Sequence, residues 1–288
     1  MNNTSLKRNR HNLILTGLPR SGTTLVCHLL NQLPNTVALL EPLGPAHFVD
    51  LLPDGEAILD KLERWYRKSR RRALRKGEVV TYHVDGTIPD NPFEEERSGE
   101  EPRHWLANKG RIRVGKELHR GFYLVIKEPP MFTALLPLLA QRFPAFAVVR
   151  NPLAVLASWN TVDIQARLGR LPKAEPFDPE LTRRLSAIEE RVERQLCLLD
   201  WWCERFERCL PARNILRYED IVASEGKALA AIVPGARELN KTLSSRNANE
   251  LYQRDEVMEL GEKLLGSKGA YWRFYSRNSV EELLAQFT

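Results

Sequence analysis

The chain has 288 residues, 43% hydrophobic and 28% charged, with a net charge of +6 and a pI of about 9.2. That is the balance of an ordinary globular protein, long enough to bury a core without disulfide or metal staples. It excludes a membrane span, since no apolar run approaches the ~18 to 20 residues a bilayer requires, and the positive charge favours anionic ligands without choosing among nucleotide, acidic glycan, nucleic acid and anionic lipid.

The N-terminus, MNNTSLKRNRHN, is polar and basic and lacks the apolar core of a signal peptide, which reads as a cytoplasmic chain. Leu13 to Thr16 is a short apolar run ending at Gly17, the pattern of a buried strand entering a tight loop. Leu25, Leu29, Leu30 and Leu33 then recur at helical spacing, so a helix begins near Gly22 and stops at Pro34-Asn35. TVALL, Thr36 to Leu40, is a second strand. A helix from Gly55 to Gly77 carries the basic run RKSRRRALRK. From Val79 to Gly121 the periodicity breaks at several prolines, which predicts an irregular insert.

GFYLVIKEPP, Gly121 to Pro130, is a third strand, followed by a short helix over Phe132 to Phe143. AFAVVRNP, Ala145 to Pro152, is a fourth strand, and Pro152 fits the first turn of the next helix. After a proline-bearing stretch, Leu181, Leu185, Ile188, Val192, Leu196, Leu199, Trp202 and Phe206 step by three or four, which predicts one long amphipathic helix. NILRYEDI, Asn214 to Ile221, is a fifth strand, and the rest is helical to about Leu284. Cys27, Cys197, Cys203 and Cys209 form no C-x-x-C pair and read as reduced thiols.

Strands alternating with helices predict one α/β domain over residues 1–288. It is a P-loop-like three-layer α/β/α fold with a mostly parallel sheet of about five strands and the insert at 79–121. Ligands of such sheets sit beyond the carboxyl ends of the strands. There the sequence places the loop Gly17 to Thr24, then Glu41, Lys127, Arg150, and Tyr218-Glu219-Asp220. Cations, a carboxylate and a ring of amides would converge on one crevice.

The loop follows the phosphate-binding pattern G-x-x-x-x-G-K-[ST] with Thr23 in the lysine position and a cation at Arg20 instead. Gly22 and the helix behind it turn backbone amides toward one point, and Ser21, Thr23 and Thr24 add hydroxyls. No strand ends in a clear magnesium-binding motif. Arg150 ends the fourth strand, with Ser158 eight residues on, so a guanidinium and a hydroxyl could share a second phosphate.

TGLPRSGTTLVCHLL resembles the 5′-phosphosulfate loop of sulfotransferases, and VVRNPLAVLASW resembles their 3′-phosphate motif. IKEPP and RYEDI extend the resemblance over roughly residues 13 to 221. It implies a donor, 3′-phosphoadenosine 5′-phosphosulfate (PAPS), leaving as adenosine 3′,5′-bisphosphate, with no metal. The loop is similar to that of tyrosylprotein sulfotransferases and bacterial relatives. In those terms Arg20 and Lys127 stabilise charge on the transferred group and the leaving oxygen. Glu41, 21 residues after Arg20, stands where the tyrosylprotein branch has its catalytic glutamate. The role needs its pKa lifted by partial burial, and a strand-end carboxylate paired with Arg20 is the plainer alternative. Pro129 stands where the cytosolic branch has its catalytic histidine.

Other features stay open. Ser245, in the polar run Ser245-Arg246-Asn247, is a candidate donor contact, and Lys268 in GSKGAYWR is a looser one. Arg67 to Lys76 is either a solvated helix face or a wall for an anionic acceptor. His47, His83, His119, Trp159 and Asp163 are candidate acceptor-pocket residues. The acceptor is a small-molecule, glycan or peptide hydroxyl or amine. A P-loop kinase using Mg-ATP and a non-catalytic polyanion binder on the same scaffold are the competing functions, and nucleic acid is not an expected partner.

Overall fold

The computed structural model describes residues 9–97, 99 and 101–287. Most of the basic N-terminal stretch lies outside them. In chain order β1 (Asn12–Gly17) leads to α1 (Thr23–Leu30) and β2 (Thr36–Leu40), followed by the 22-residue helix α2 (Gly55–Lys76). Next come β3 (Glu78–His83), β4 (Asn108–Arg113), β5 (Tyr123–Lys127), two short helices α3 (Pro129–Ala134) and α4 (Leu136–Leu139), β6 (Ala145–Val149) and α5 (Pro152–Asn160). Then follow α6 (Pro179–Ser186), α7 (Arg191–Cys209), β7 (Ile215–Arg217), α8 (Tyr218–Ala223), α9 (Arg254–Gly266) and α10 (Arg277–Leu284).

Five strands form one sheet in the order β2-β5-β1-β6-β7, and every neighbouring pair is parallel. The chain leaves β1 on one side to make β2 and returns on its other side at β6. The strand order therefore reverses at β1, where a crevice opens beyond the strand ends. Buried parallel strands lack polar alternation because both faces are covered. Thus Ile14 joins one core with Val37, Leu39, Ile126 and Val149, while Leu13 and Leu15 join the opposite core with Val26, Cys27, Leu40 and Val148. The first core carries α2, α3, α5, α7, α9 and α10; the second carries α1 and α8.

Helix α2 starts at Asp54, whose carboxylate accepts from the Ala57 amide at 3.0 Å, and ends at Gly77 in the left-handed region, φ 63°. Its basic run is mostly a solvated face, with Arg70 as the exception. Buried, Arg70 donates to Asn12 Oδ1 at 2.7 Å and to the His11 carbonyl at 2.8 Å, and stacks on Phe122. That residue fastens α2 to the start of β1.

Three elements differ from the expectation. The run from Leu181 to Phe206 is two helices, because Glu190 caps α7 by accepting from the Glu193 amide and ends the apolar register at Ile188. The helix after β5 begins at Pro129 and breaks at Leu135, ahead of Pro137. The fifth strand is only three residues long, since Tyr218 already starts α8. Within 79–121, β3 and β4 pair antiparallel as a separate two-stranded sheet. Thr81 joins this arm to the main sheet, its Oγ1 accepting from the Leu40 amide at 2.8 Å. Among the described residues no helix is long and apolar enough to cross a membrane.

Candidate active site

The loop after β1 is shaped by two glycines. Gly17, at φ 154°, leaves no room for a Cβ, which would lie 2.6 Å from both Thr23 Cγ2 and the Val148 carbonyl. Gly22, at φ 92°, is the residue before α1, and a Cβ there would meet the Tyr218 ring at 2.8 Å. No side chain caps α1, so its first-turn amides point into the crevice without intrahelical partners. Ser21 does not face the cavity. It is fully buried, and its Oγ donates toward the Leu18 and Val148 carbonyls at 2.7 and 2.9 Å, tying the loop to β6.

Arg20 and Glu41 both occupy the left-handed backbone region, at φ 68° and φ 46°. Asn35, Asp85 and Glu225 do too, the first two being residue types that tolerate it and Glu225 lying away from the cavity; arginine and glutamate there mark local strain, found at this site and once outside it. Arg20 donates from Nε to Ser158 Oγ at 3.2 Å and from Nη1 to Asn91 Oδ1 at 3.1 Å, over the Phe93 ring. Arg150, the residue after β6, donates to Asn247 Oδ1 and the Arg20 carbonyl at 2.8 Å each, and also to the Arg246 carbonyl. Arg103, 4% exposed, donates to the Glu94 carbonyl and to Thr161 Oγ1, while its Nε has no partner. Among the described residues none of these three guanidiniums has a carboxylate partner. Burial, together with repulsion from Arg103, Arg150 and Arg246, lowers the Arg20 pKa to about 9.

Lys127 ends β5 and donates to Glu41 Oε1 at 2.7 Å, with Thr24 Oγ1 at 3.4 Å. Lys173, from the loop after α5, holds the other oxygen, Glu41 Oε2, also at 2.7 Å. Burial alone would raise the Glu41 pKa, but Lys127 and Lys173 overcome it and bring it to about 2. The expected lift is therefore reversed, because two ammonium groups were attached where the sequence suggested one neighbour. Glu128, fully buried beneath, accepts from the Leu43 amide through Oε1 at 2.6 Å, and its Oε2 has no partner. Burial, then repulsion from Glu41, pushes its pKa up to about 8.

One cavity of about 900 Å³ joins these groups. Arg20, Gly22, Thr23, Thr24, Glu41, Lys127 and Arg150 line it. Ser158, by contrast, is buried off the lining and meets it only by accepting from Arg20 Nε. Ser245 instead lines a neighbouring hollow of about 370 Å³ with Asn247 and Tyr275. Of the candidate acceptor residues, Asp163 lines the main cavity, whereas Trp159 is buried and donates to the Pro19 carbonyl at 2.8 Å. Sequence reasoning passed over Lys173 and Asn91, which lie on loops without periodicity, and Glu128, whose adjacency to Lys127 was its one signal; in the run Ser245-Arg246-Asn247 it chose Ser245, whereas Arg246 is the member that lines the cavity.

No family model and no curated protein matches the chain. Among solved structures it is similar to the sulfotransferase domain of the olefin synthase of Synechococcus PCC 7002, at 16% identity and a TM-score of 0.33, covering 96% of this chain and 93% of that one. It is similar to sulfotransferase STF1 of Mycobacterium tuberculosis H37Rv at 14% and 0.30, covering 96% and 76%. It is also similar to retinol dehydratase in complex with androsterone and the inactive cofactor PAP, at 15% and 0.27, covering 96% and 80%. Likeness at this level assigns neither an activity nor a ligand to this chain.

Proposed function

We propose that the chain is a sulfotransferase that moves a sulfuryl group from PAPS to a hydroxyl or amine acceptor. One observation carries the reading. Arg20 and Arg150 line the cavity at a phosphate-type loop, buried or half-buried, with Arg103 close enough to repel Arg20, and among the described residues no carboxylate pairs with any of the three. Burying a cation without a counterion costs several kcal/mol, and a ligand with two anionic ends offsets that cost. The donor set fits such a nucleotide: loop amides with Thr23 and Thr24 for one end, Arg150 and Ser158 for the other. The bound donor supplies an activated sulfuryl group.

The protein's own contribution is positioning and charge. Arg20 and Lys127 face the corner where negative charge grows during transfer. Glu41 is ionised at neutral pH and accepts the acceptor's proton once a lysine leaves it. Withdrawal of the half-exposed Lys173 into water removes one of the two charges that depress the Glu41 pKa, which makes the carboxylate a stronger base. Holding Glu41 between two lysines keeps it oriented until both substrates are present.

Isothermal titration with adenosine 3′,5′-bisphosphate, in buffer free of divalent metal, tests the reading. Tight binding abolished by Arg150→Ala supports it. Binding of Mg-ATP in preference to the bisphosphate selects a kinase instead. Affinity for polyanions that is indifferent to Arg150 selects a non-catalytic binder.

A further inference from the structure

The remaining walls of the same cavity narrow the acceptor, given the sulfotransferase reading above. Its cations gather at one end, around Glu41 and the loop after β1. Much of the rest is carbon. The arm that begins with β3 supplies Tyr82, Phe93 and Trp105. Trp105 meets Tyr82 edge to face at 5.7 Å between ring centroids and Phe93 at 5.2 Å. Leu25 comes from α1, and Ile164 and Leu171 from the stretch after α5. Trp105 gives its indole N–H to the Ala107 carbonyl at 2.6 Å, so the ring offers surface rather than a donor. Phe93 links the two regions, its centroid 4.8 Å from the Arg20 guanidinium carbon. The apolar wall thus begins beside the cation that faces the transferred group.

The polar groups of this wall argue against a charged acceptor. Asp90 and Asp163 are exposed, and neither has a lysine or arginine partner among the described residues; Asp163 has only His104 at 3.9 Å. A polyanion would meet both carboxylates and would compete with the donor for the arginines. A sugar needs a dense set of hydrogen bonds to replace its water; these six side chains carry a single hydroxyl, that of Tyr82, and away from the loop after β1 the lining adds only Asn91, Gln165, Thr242 and Ser244 as uncharged polar side chains, of which Asn91 is already bound to Arg20 and the Phe93 carbonyl. The basic run of α2 contributes nothing to the cavity.

We propose that the acceptor is an uncharged, mainly apolar alcohol whose hydroxyl meets Glu41 at the oxygen that Lys173 holds. Lys173 is 43% exposed and can withdraw into water, whereas Lys127 is 5% exposed and cannot. In the transfer the acceptor oxygen bonds to sulfur, and the hydroxyl proton passes to Glu41. The bond from sulfur to the donor's phosphate oxygen breaks, its electron pair staying on the phosphate.

The test compares 2-naphthol with 6-hydroxy-2-naphthoate, an anionic sibling of the same shape, a neutral glucose oligosaccharide and an acidic tyrosyl peptide. Sulfate transfer is measured for each, and equilibrium dialysis of 2-naphthol measures binding without the donor. The expected result is preference for 2-naphthol. Trp105→Ala raises its KM and its dialysis Kd about tenfold while bisphosphate affinity is kept, and Trp105→Phe restores most of the loss. Preference for the carboxylate, the oligosaccharide or the peptide overturns the proposal, as does a Trp105→Ala variant that binds 2-naphthol normally. Failure to bind the bisphosphate sinks the sulfotransferase reading instead, and dialysis still reports on the apolar wall.

Discussion

Arg150 donates from Nη1 to the main-chain oxygen of Arg20 at 2.8 Å, so the strand end of β6 grips the loop of β1 directly. Two motifs 130 residues apart in the chain are one piece of structure. A ligand that orders either of them orders both.

Arg150→Ala should therefore weaken adenosine 3′,5′-bisphosphate by about 10- to 100-fold, the worth of a charge-assisted hydrogen bond or two. Adenosine 5′-monophosphate, lacking the second phosphate, should lose far less. Titration calorimetry with the two nucleotides reads the difference. Equal losses would place the role of Arg150 in holding the loop rather than in contacting phosphate.

Glu41→Gln should lower kcat by ~10²-fold or more while leaving bisphosphate affinity within a few-fold, since the amide keeps the shape but cannot take a proton. Near-normal turnover would remove Glu41 from the chemistry. The Lys127 ion pair also tests this side chain, because losing it strands Lys127 in a buried place.

Lys173→Ala should raise the Glu41 pKa, because one of the two charges that hold it at about 2 is gone. The acidic limb of the kcat/KM profile, which lies below pH 4 in the wild type, then rises into the range where initial rates between pH 4 and 8 detect it. A profile as flat at its acidic end as the wild type's would mean that Lys173 does not act on the base.

Glu128 sets a pH dependence of stability with a definite sign. Its folded pKa, about 8, lies above the ordinary value of 4.5, so the folded state holds a proton that the unfolded chain has lost. The stabilisation it brings is complete below 4.5 and disappears as pH rises through 8. Glu41 acts oppositely: its stabilisation is complete above 4.5 and is lost as pH falls toward 2. Urea midpoints should accordingly fall from pH 5 to 9, and Glu128→Gln, neutral throughout, should flatten that decline.

Gly22→Ala should cost about 1–3 kcal/mol, since alanine at φ 92° is strained and its Cβ runs into Tyr218. Thermal unfolding measures it, and bisphosphate affinity should drop with it as the loop reshapes.

Much of the parallel sheet was legible because buried strands announce themselves as apolar runs, and each run ended on a residue that lines the crevice or adjoins it. Glu41, Lys127 and Arg150 were found by that rule alone. Lys173 was not, since it belongs to a loop and meets Glu41 only through the fold. β3 and β4 were missed because strands such as Asn108 to Arg113 are largely polar and exposed, with no apolar alternation to detect. The break between α6 and α7 was hidden for the opposite reason: the apolar spacing runs straight across it, and only the Glu190 cap ends the helix.

The two-stranded arm has its own hydrogen-bond ladder, and Thr81 ties it to β2. The groups assigned above to anion binding and proton transfer sit mostly at or just beyond the ends of the parallel strands, and the aromatic surface hangs on the arm. On the sulfotransferase reading, evolution can therefore redraw what is accepted by rewriting one hairpin-like appendage, leaving the reaction itself untouched. Grafting this segment onto a relative of the same architecture is the corresponding route to a new preference.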